Sequence, residues 1–264
     1  MPPHLETATF THPGPRPTNQ DAADADPELG FAAVADGMGG AAGGGVASTE
    51  TLAGVRSALQ LAPPQPGAPL EPMLTAAAGA AQRRVCVQAQ ARPELQGMGS
   101  TLALVLVTGS NYGVANVGDS RVYLVRNRSL TQLSHDHSLV QIRVDRGEIP
   151  AEAAASQPDR NVITRAIGVP GSATPHLIRG EAYPGDRFLV TSDGVHGVLT
   201  APDLLGGDPD ETAADTARRL VQRALERGTT DNATAAVLRV LTPEHRGSLP
   251  YPLPRLHRRE FQPH

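Results

Sequence analysis

Four aspartates in this chain stand where a carboxylate is costly to keep charged. Asp36 and Asp193 each close an apolar run, and each is followed by glycine, in VADG and VTSDG. Asp119 lies between two further runs of strand character, and Asp231 just precedes a last one. Taken singly, each reads as a turn residue, because Asp and Gly favour turns for conformational reasons. Their common placement argues for more, since strand ends on one side of a layered fold converge in space. A carboxylate at the lip of a buried strand is expensive unless a cation sits against it, and four together repel one another. Oxygen donors with no His or Cys in matching positions suit Mg²⁺ or Mn²⁺ rather than Zn²⁺. The glycines that follow Asp36, from Gly37 to Gly45, mark backbone that is sharply bent or approached closely.

The elements that must position these acids are legible from periodicity. Short apolar or alternating runs predict strands at 5–10, 31–35, 101–107, 112–117, 121–125, 130–133, 177–182, 187–191 and 233–241. The 101–107 run (TLALVLV) is apolar throughout, so it should be buried on both faces. Gly118-Asp119-Ser120 between two runs predicts a hairpin with Asp119 at its tip. Helical spacing predicts helices at 46–60, 72–91 and 209–227, the last with Asp208 as N-cap, Pro209 at its first position and Gly228 as its stop. Short helices are expected at 138–146 and 151–155 inside a weakly patterned excursion, 134–170, of the kind often used as a lid or binding loop. Strands linked mostly as hairpins, with long helices between groups of them, predict an α+β fold of two antiparallel sheets covered by helices.

Composition narrows the function. The chain has 264 residues, 39% of them hydrophobic but only 3% aromatic, so the core must be close-packed Ala, Val and Leu. A net charge of −4 argues against a general nucleic-acid binder. Every basic residue apart from His is Arg, so a phosphate clamp here would be a guanidinium fork. The single cysteine, Cys86, excludes an intrachain disulfide and a Cys-rich metal site, and it reads as a small hydrophobe on a helix. Residues 1–11 lack the basic start and apolar run of a signal peptide, and no stretch approaches the ~20 apolar residues of a membrane helix. The expectation is a soluble, cytoplasmic protein with no membrane partner. A domain over 1–242 and a Pro/Arg-rich mobile tail over 243–264 are expected.

The motifs taken together resemble the metal-dependent protein serine/threonine phosphatases of the type 2C family, in their short bacterial form. The matching pieces, in the family's order, are RPTNQD (16–21), VADGMGG (34–40), GMGSTLAL (97–104), NVGDSRVYL (116–124), LSHDHSLV (133–140), NVITRAIG (161–168), FLVTSDGV (188–195) and TTDNATAAVL (229–238). The Gly-rich run fits neither rival nucleotide motif, having no GK[ST] and no G-x-G-x-x-G register.

The resemblance implies a four-layer α-β-β-α sandwich with a binuclear Mn²⁺ or Mg²⁺ centre at one edge. Asp36 would bridge the two ions, the Gly37 carbonyl would bind one of them, and Asp193 and Asp231 the other. Asp21 would act through water, and Asp119 with Asp193 would form a third, weaker site. Arg16 would grip the substrate phosphate. The implied activity is hydrolysis of phosphoserine and phosphothreonine in proteins by a metal-activated water, opposing a serine/threonine kinase and acting as a monomer. The alternatives are a regulatory phosphatase of an anti-anti-sigma partner, which usually carries an added sensor domain, and a non-catalytic phosphoprotein-binding module. Met38 stands where many eukaryotic members have a histidine proton donor, leaving a water or a residue such as His137 for that role. Gly14 is one residue closer to Arg16 than usual, and Gln157 replaces a common histidine in the flap, 139–168. His135-Asp136-His137 reads as ordinary polar contacts rather than a metal site.

Overall fold

Alternation along the strands decides the layering. A computed structural model describes residues 4–241; the tail expected over 243–264, and residues 1–3 and 242 of the expected domain, lie outside the described residues. The chain runs β1 (Leu5–His12), β2 (Asp21–Asp26), β3 (Phe31–Met38), α1 (Gly40–Leu61) and α2 (Leu70–Ala91). It continues through β4 (Gly99–Ser100), β5 (Leu102–Thr108), β6 (Asn111–Val117), β7 (Arg121–Arg126), β8 (Ser129–Gln132) and α3 (Leu139–Asp145). The last elements are β9 (His176–Glu181), β10 (Arg187–Thr191), α4 (Asp193–His196), α5 (Ala201–Leu205), α6 (Ala213–Glu226) and β11 (Ala233–Val240). One sheet has the order β1-β11-β10-β7-β8; the other has the order β2-β3-β5-β6-β9, with β4 pairing β3 beside it. Neighbouring strands pair antiparallel throughout.

Successive side chains of a strand point to opposite faces, and here both faces are buried. Phe31, Ala33 and Ala35 of β3 pack with Leu102, Leu104 and Leu106 of β5 beneath Val55, Leu59, Leu74 and Val85 of the helices α1 and α2. Ala32, Val34, Ala103 and Val105 face the other way, meeting Phe188, Val190, Ala236 and Leu238 between the sheets. Tyr112 and Phe188 meet across that gap with ring centroids 5.0 Å apart and planes tilted by 59°. Leu189, Ala235 and Val237 then face Leu220, Val221 and Ala224 of α6. The result is the expected α-β-β-α sandwich.

Local expectations failed in four places. The glycines after Asp36 are not a turn preceding a helix at Val46; α1 already begins at Gly40. A Cβ at Gly43 would stand 2.9 Å from that of Met98, and one at Gly44 would stand 2.7 Å from the Gln20 side-chain amide, so packing selects these helix-weakening residues. Strand β2 was not expected, because Asp and Ala in DAADAD are poor strand formers. It is held by its neighbours: Arg56 of α1 grips Asp24 at 2.6 and 2.7 Å and Asp26 at 2.8 Å. The predicted hairpin at Asp119 does not exist. β6 belongs to one sheet and β7 to the other, so Gly118-Asp119-Ser120 carries the chain between the layers. Finally, α6 starts at Ala213 instead of Pro209. Thr212 caps it by accepting the Asp215 N–H at 3.1 Å, while Asp208 closes its own turn onto the Asp210 N–H at 2.9 Å.

Candidate metal centre

Asp36 has the same strand parity as Ala32 and Val34, so its carboxylate points into the space between the sheets, where that space reaches the edge. Asp21 opens β2 directly opposite Asp36 in the strand register. Asp193 follows β10, Asp231 precedes β11 and Asp119 precedes β7, so the same edge collects all five. The unexpected strand β2 and the inter-sheet crossing at Asp119 therefore both serve to deliver acids to this edge.

Each acid is held from behind. The Asp36 backbone N–H donates to Thr101 Oγ1 at 2.8 Å, and its carbonyl accepts from the Thr101 N–H at 2.8 Å and Ser100 Oγ at 3.0 Å. Thr101 Oγ1 lies 2.7 Å from Ser120 Oγ, which ties β3 to the Asp119 crossing. Ser192 Oγ donates to Asp21 Oδ2 at 2.7 Å. Gly37 has no room for a side chain, since a Cβ would overlap the Gly44 carbonyl oxygen. Asn232 ties the Arg16 loop to β11: its amide donates to the carbonyls of Pro13 at 2.8 Å and Thr18 at 3.0 Å, and its Oδ1 accepts the Gln20 N–H at 2.8 Å. Gly14 fits this loop because a Cβ there would overlap the Asp231 carbonyl oxygen. Thr101, Ser120, Ser192 and Asn232 were given no role from sequence, although they lie inside the GST, GDS, SDG and TDN motifs.

The electrostatics match a site suited to cations. Burial, reinforced by Asp21, Asp193, Asp119 and Asp231, drives the Asp36 carboxyl well above its ordinary range. Asp119 is pushed up to about 7, first by burial and then by Asp193 and Asp136. Asp21 is raised to about 6, burial outweighing its hydrogen bonds from Ser192 and Thr234. Asp193 is raised by burial and by Asp231, and its Oδ1 is buried with no hydrogen-bond partner. Asp231 differs, being paired to Arg16 Nη2 at 2.9 Å, while Arg16 Nε donates to the Thr230 carbonyl at 3.0 Å. Among the described residues no group of three or more His, Cys, Asp or Glu side chains closes tightly enough to hold an ion unaided. A complete shell would therefore draw on water and the Gly37 carbonyl as well. The orphaned Asp193 oxygen and the all-oxygen donor set fit Mg²⁺ or Mn²⁺.

Three other candidates resolve differently. His135, Asp136 and His137 turn to separate partners: His135 Nε2 lies 2.9 Å from Asp145, Arg121 takes Asp136 through a fork at 2.7–3.1 Å, and His137 Nδ1 accepts the Gly118 N–H at 3.2 Å. His137 is poorly suited to the proton-donor role weighed above, because burial and the nearby Arg165 push it down to about 3 and so disfavour its protonated form. Cys86 is half-buried against Gln82 and the Gly168 carbonyl, as a small packing residue would be. In the flap, Gln157 braces the loop internally, accepting from Arg143 at 3.2 Å and donating to the Ala153 carbonyl at 3.2 Å.

A family model described as protein phosphatase 2C matches residues 16–241. The chain belongs to the protein phosphatase 2C family. Among curated relatives, the serine/threonine protein phosphatase PstP of Mycobacterium tuberculosis is 38% identical over 226 residues, which is 86% of this chain and 43% of the relative. The serine/threonine phosphatase stp of Listeria welshimeri is 34% identical over 172 residues, 65% of this chain and 68% of the relative. The chain thus spans less than half the length of the PstP relatives. The crystal structure of the M. tuberculosis phosphatase PstP/Ppp superposes with a TM-score of 0.81 at 36% identity, covering 90% of this chain and 99% of that one. A PstP catalytic domain in complex with two manganese ions matches with a TM-score of 0.81 at 35% identity, covering 92% of this chain and 100% of that one.

Proposed function

We propose that this family member is a protein serine/threonine phosphatase that uses two Mn²⁺ or Mg²⁺ ions, with residues 1–242 as its catalytic domain. The observation that carries the reading is the half-buried Asp36 carboxylate, which feels the charges of Asp21, Asp119, Asp193 and Asp231. Desolvation and like charge disfavour the ionised form of such a group, and cations set against it would restore that form. The protein with two manganese ions in its structure, cited above, supports the same choice of metal. Asp36 would be shared between the ions, with the Gly37 carbonyl on one side and Asp193 and Asp231 on the other. Asp21 would act through water, and Asp119 with Asp193 would offer a third position. When bound, such a metal pair acidifies a water and neutralises charge on the phosphoryl oxygens.

The remaining steps fall to the chain. Arg16, on the rim beside Asp231, would turn its fork to the equatorial phosphate oxygens and fix the phosphorus in line with the attacking water. No residue need carry a phosphoryl group, because the water attacks phosphorus directly. Met38 cannot donate a proton and His137 is held neutral, so the leaving serine or threonine oxygen would take its proton from water. Proteins phosphorylated by a serine/threonine kinase are the proposed substrates. A monomeric, cytoplasmic enzyme is the proposed setting; no described helix is long and apolar enough to cross a membrane.

The test is hydrolysis of p-nitrophenyl phosphate and a phosphothreonine peptide with Mn²⁺, with chelator, and by Asp193→Asn. Activity should need the metal and fall by at least about 10²-fold in the variant. Chelator-resistant turnover would overturn the metal mechanism, and unaffected Asp193→Asn would remove that residue from it.

A further inference from the structure

His137 carries two sets of contacts that nothing in the catalytic reading uses. Its backbone N–H donates to the Gly118 carbonyl at 2.9 Å, and its Nδ1 accepts the Gly118 N–H at 3.2 Å. One residue therefore grips both polar groups of the residue before Asp119. The Asn116 amide adds a further bond to the Gly118 carbonyl at 3.0 Å. On its other side, the His137 carbonyl accepts the Thr164 N–H at 2.7 Å. The next two residues continue that seam: Ser138 pairs with Ile163, and the Leu139 N–H donates to the Val162 carbonyl at 2.8 Å. His137 is thus fixed between the crossing that carries Asp119 and the strand-like base of the flap. The imidazole itself is buried, and its Nε2 stands 3.5 Å from Arg165 of the flap.

We infer that His137 is a positioning residue, which joins the Asp119 crossing and the flap base into one unit and so sets where the Asp119 carboxylate stands. The inference rests on the proposed metal role of Asp119. The physical ground is the Gly118 N–H. It is buried, so without the imidazole acceptor it loses a partner that water cannot easily replace. The peptide plane between Gly118 and Asp119 then loses its orientation, and the carboxylate one bond further along loses it too. The acceptor must be neutral with Nδ1 bare, which places the imidazole proton on Nε2. The neighbouring arginine favours that neutral form.

Two variants separate acceptor from bulk. His137→Leu keeps the volume and removes the acceptor, whereas His137→Asn sets an amide oxygen the same number of bonds from Cβ as Nδ1. In metal-free protein of residues 1–264, His137→Leu should speed hydrogen exchange at the Gly118 and Thr164 amides by about tenfold, with the α2 amides unchanged. With Mn²⁺, the concentration for half-maximal hydrolysis of p-nitrophenyl phosphate should rise by about tenfold while KM stays within about twofold. His137→Asn should restore both readings to near the parent. Unchanged exchange at Gly118 in His137→Leu, or His137→Asn as impaired as His137→Leu, would overturn the inference. A parent enzyme indifferent to chelator would instead sink the metal reading, and the exchange measurement would still judge the clamp.

Discussion

Neutralising one acid of the edge should make the metal-free protein more stable, and Asp119→Asn tests this most cleanly. Burial first, and then Asp193 and Asp136, push the Asp119 carboxyl up to about 7 in the fold, about three pH units above its ordinary 3.8. Each unit is worth about 1.4 kcal/mol, so the ionised group opposes folding by up to about 4 kcal/mol, or about 2 once its partial exposure is allowed for. The sign follows from linkage. A folded-state pKa above the unfolded one means the folded protein binds the proton more tightly. The penalty is therefore absent below about pH 3.8, grows as pH rises, and is fully present above about pH 7. Urea unfolding in chelator at pH 8 should show Asp119→Asn about 2 kcal/mol more stable than the parent, with a gain at pH 5 less than half as large. Saturating Mn²⁺ should narrow the gap, because a cation bound only by the folded state stabilises the parent. Equal stabilities at pH 8 in chelator, or a gain that does not shrink at pH 5, would refute the crowded-carboxylate account.

Two further outcomes are expected. Arg16→Ala should raise KM for a phosphopeptide by about tenfold or more with the Mn²⁺ titration unchanged and stability altered by less than about 1 kcal/mol, because its pair with Asp231 is largely exposed; a shifted metal titration at constant KM would assign Arg16 to the metals. Arg126→Ala should destabilise by about 3–5 kcal/mol in chemical denaturation, because it strands the buried Asp186 that Arg126 now holds at 2.6 Å through both Nε and Nη2; a loss under about 1 kcal/mol would show the pair to be hydrated.

How far the site could be read in advance depended on the range of the interaction behind each residue. Asp36 and Asp193 were legible because a strand ending in an acid and a glycine is a local pattern, and Asp231 because an acid directly before a strand is one too. The residues that orient them were not. Ser192 reaches Asp21 across 171 positions, and Asn232 reaches Pro13 across 219. A hydroxyl or amide in a turn carries no mark of a partner so distant. The pairing error at Asp119 has the same origin, since a short turn between two apolar runs fits a hairpin equally well. Only the competition of β5 and β9 for β6, and of β10 and β8 for β7, sends the two strands to different sheets. Strand β2 formed against its own propensity because Arg56 on a separate helix compensates its acids.

The sequence alone settled the strand runs other than β2 and β4, the two-faced burial of 101–107, the long helices and the family resemblance, and it suggested the all-oxygen chemistry. These follow from local periodicity and from motif order along the chain. Tertiary structure decided the rest: that α1 begins among the glycines, that the Asp119 turn crosses between sheets, and that His137 is buried between Gly118 and Arg165, where the neutral imidazole is favoured. The glycine placement is set by clearance to Met98 and Gln20, the crossing by strand competition, and the histidine's charge by burial beside an arginine. Each depends on which atoms meet after the layers close, and no window of sequence contains both partners.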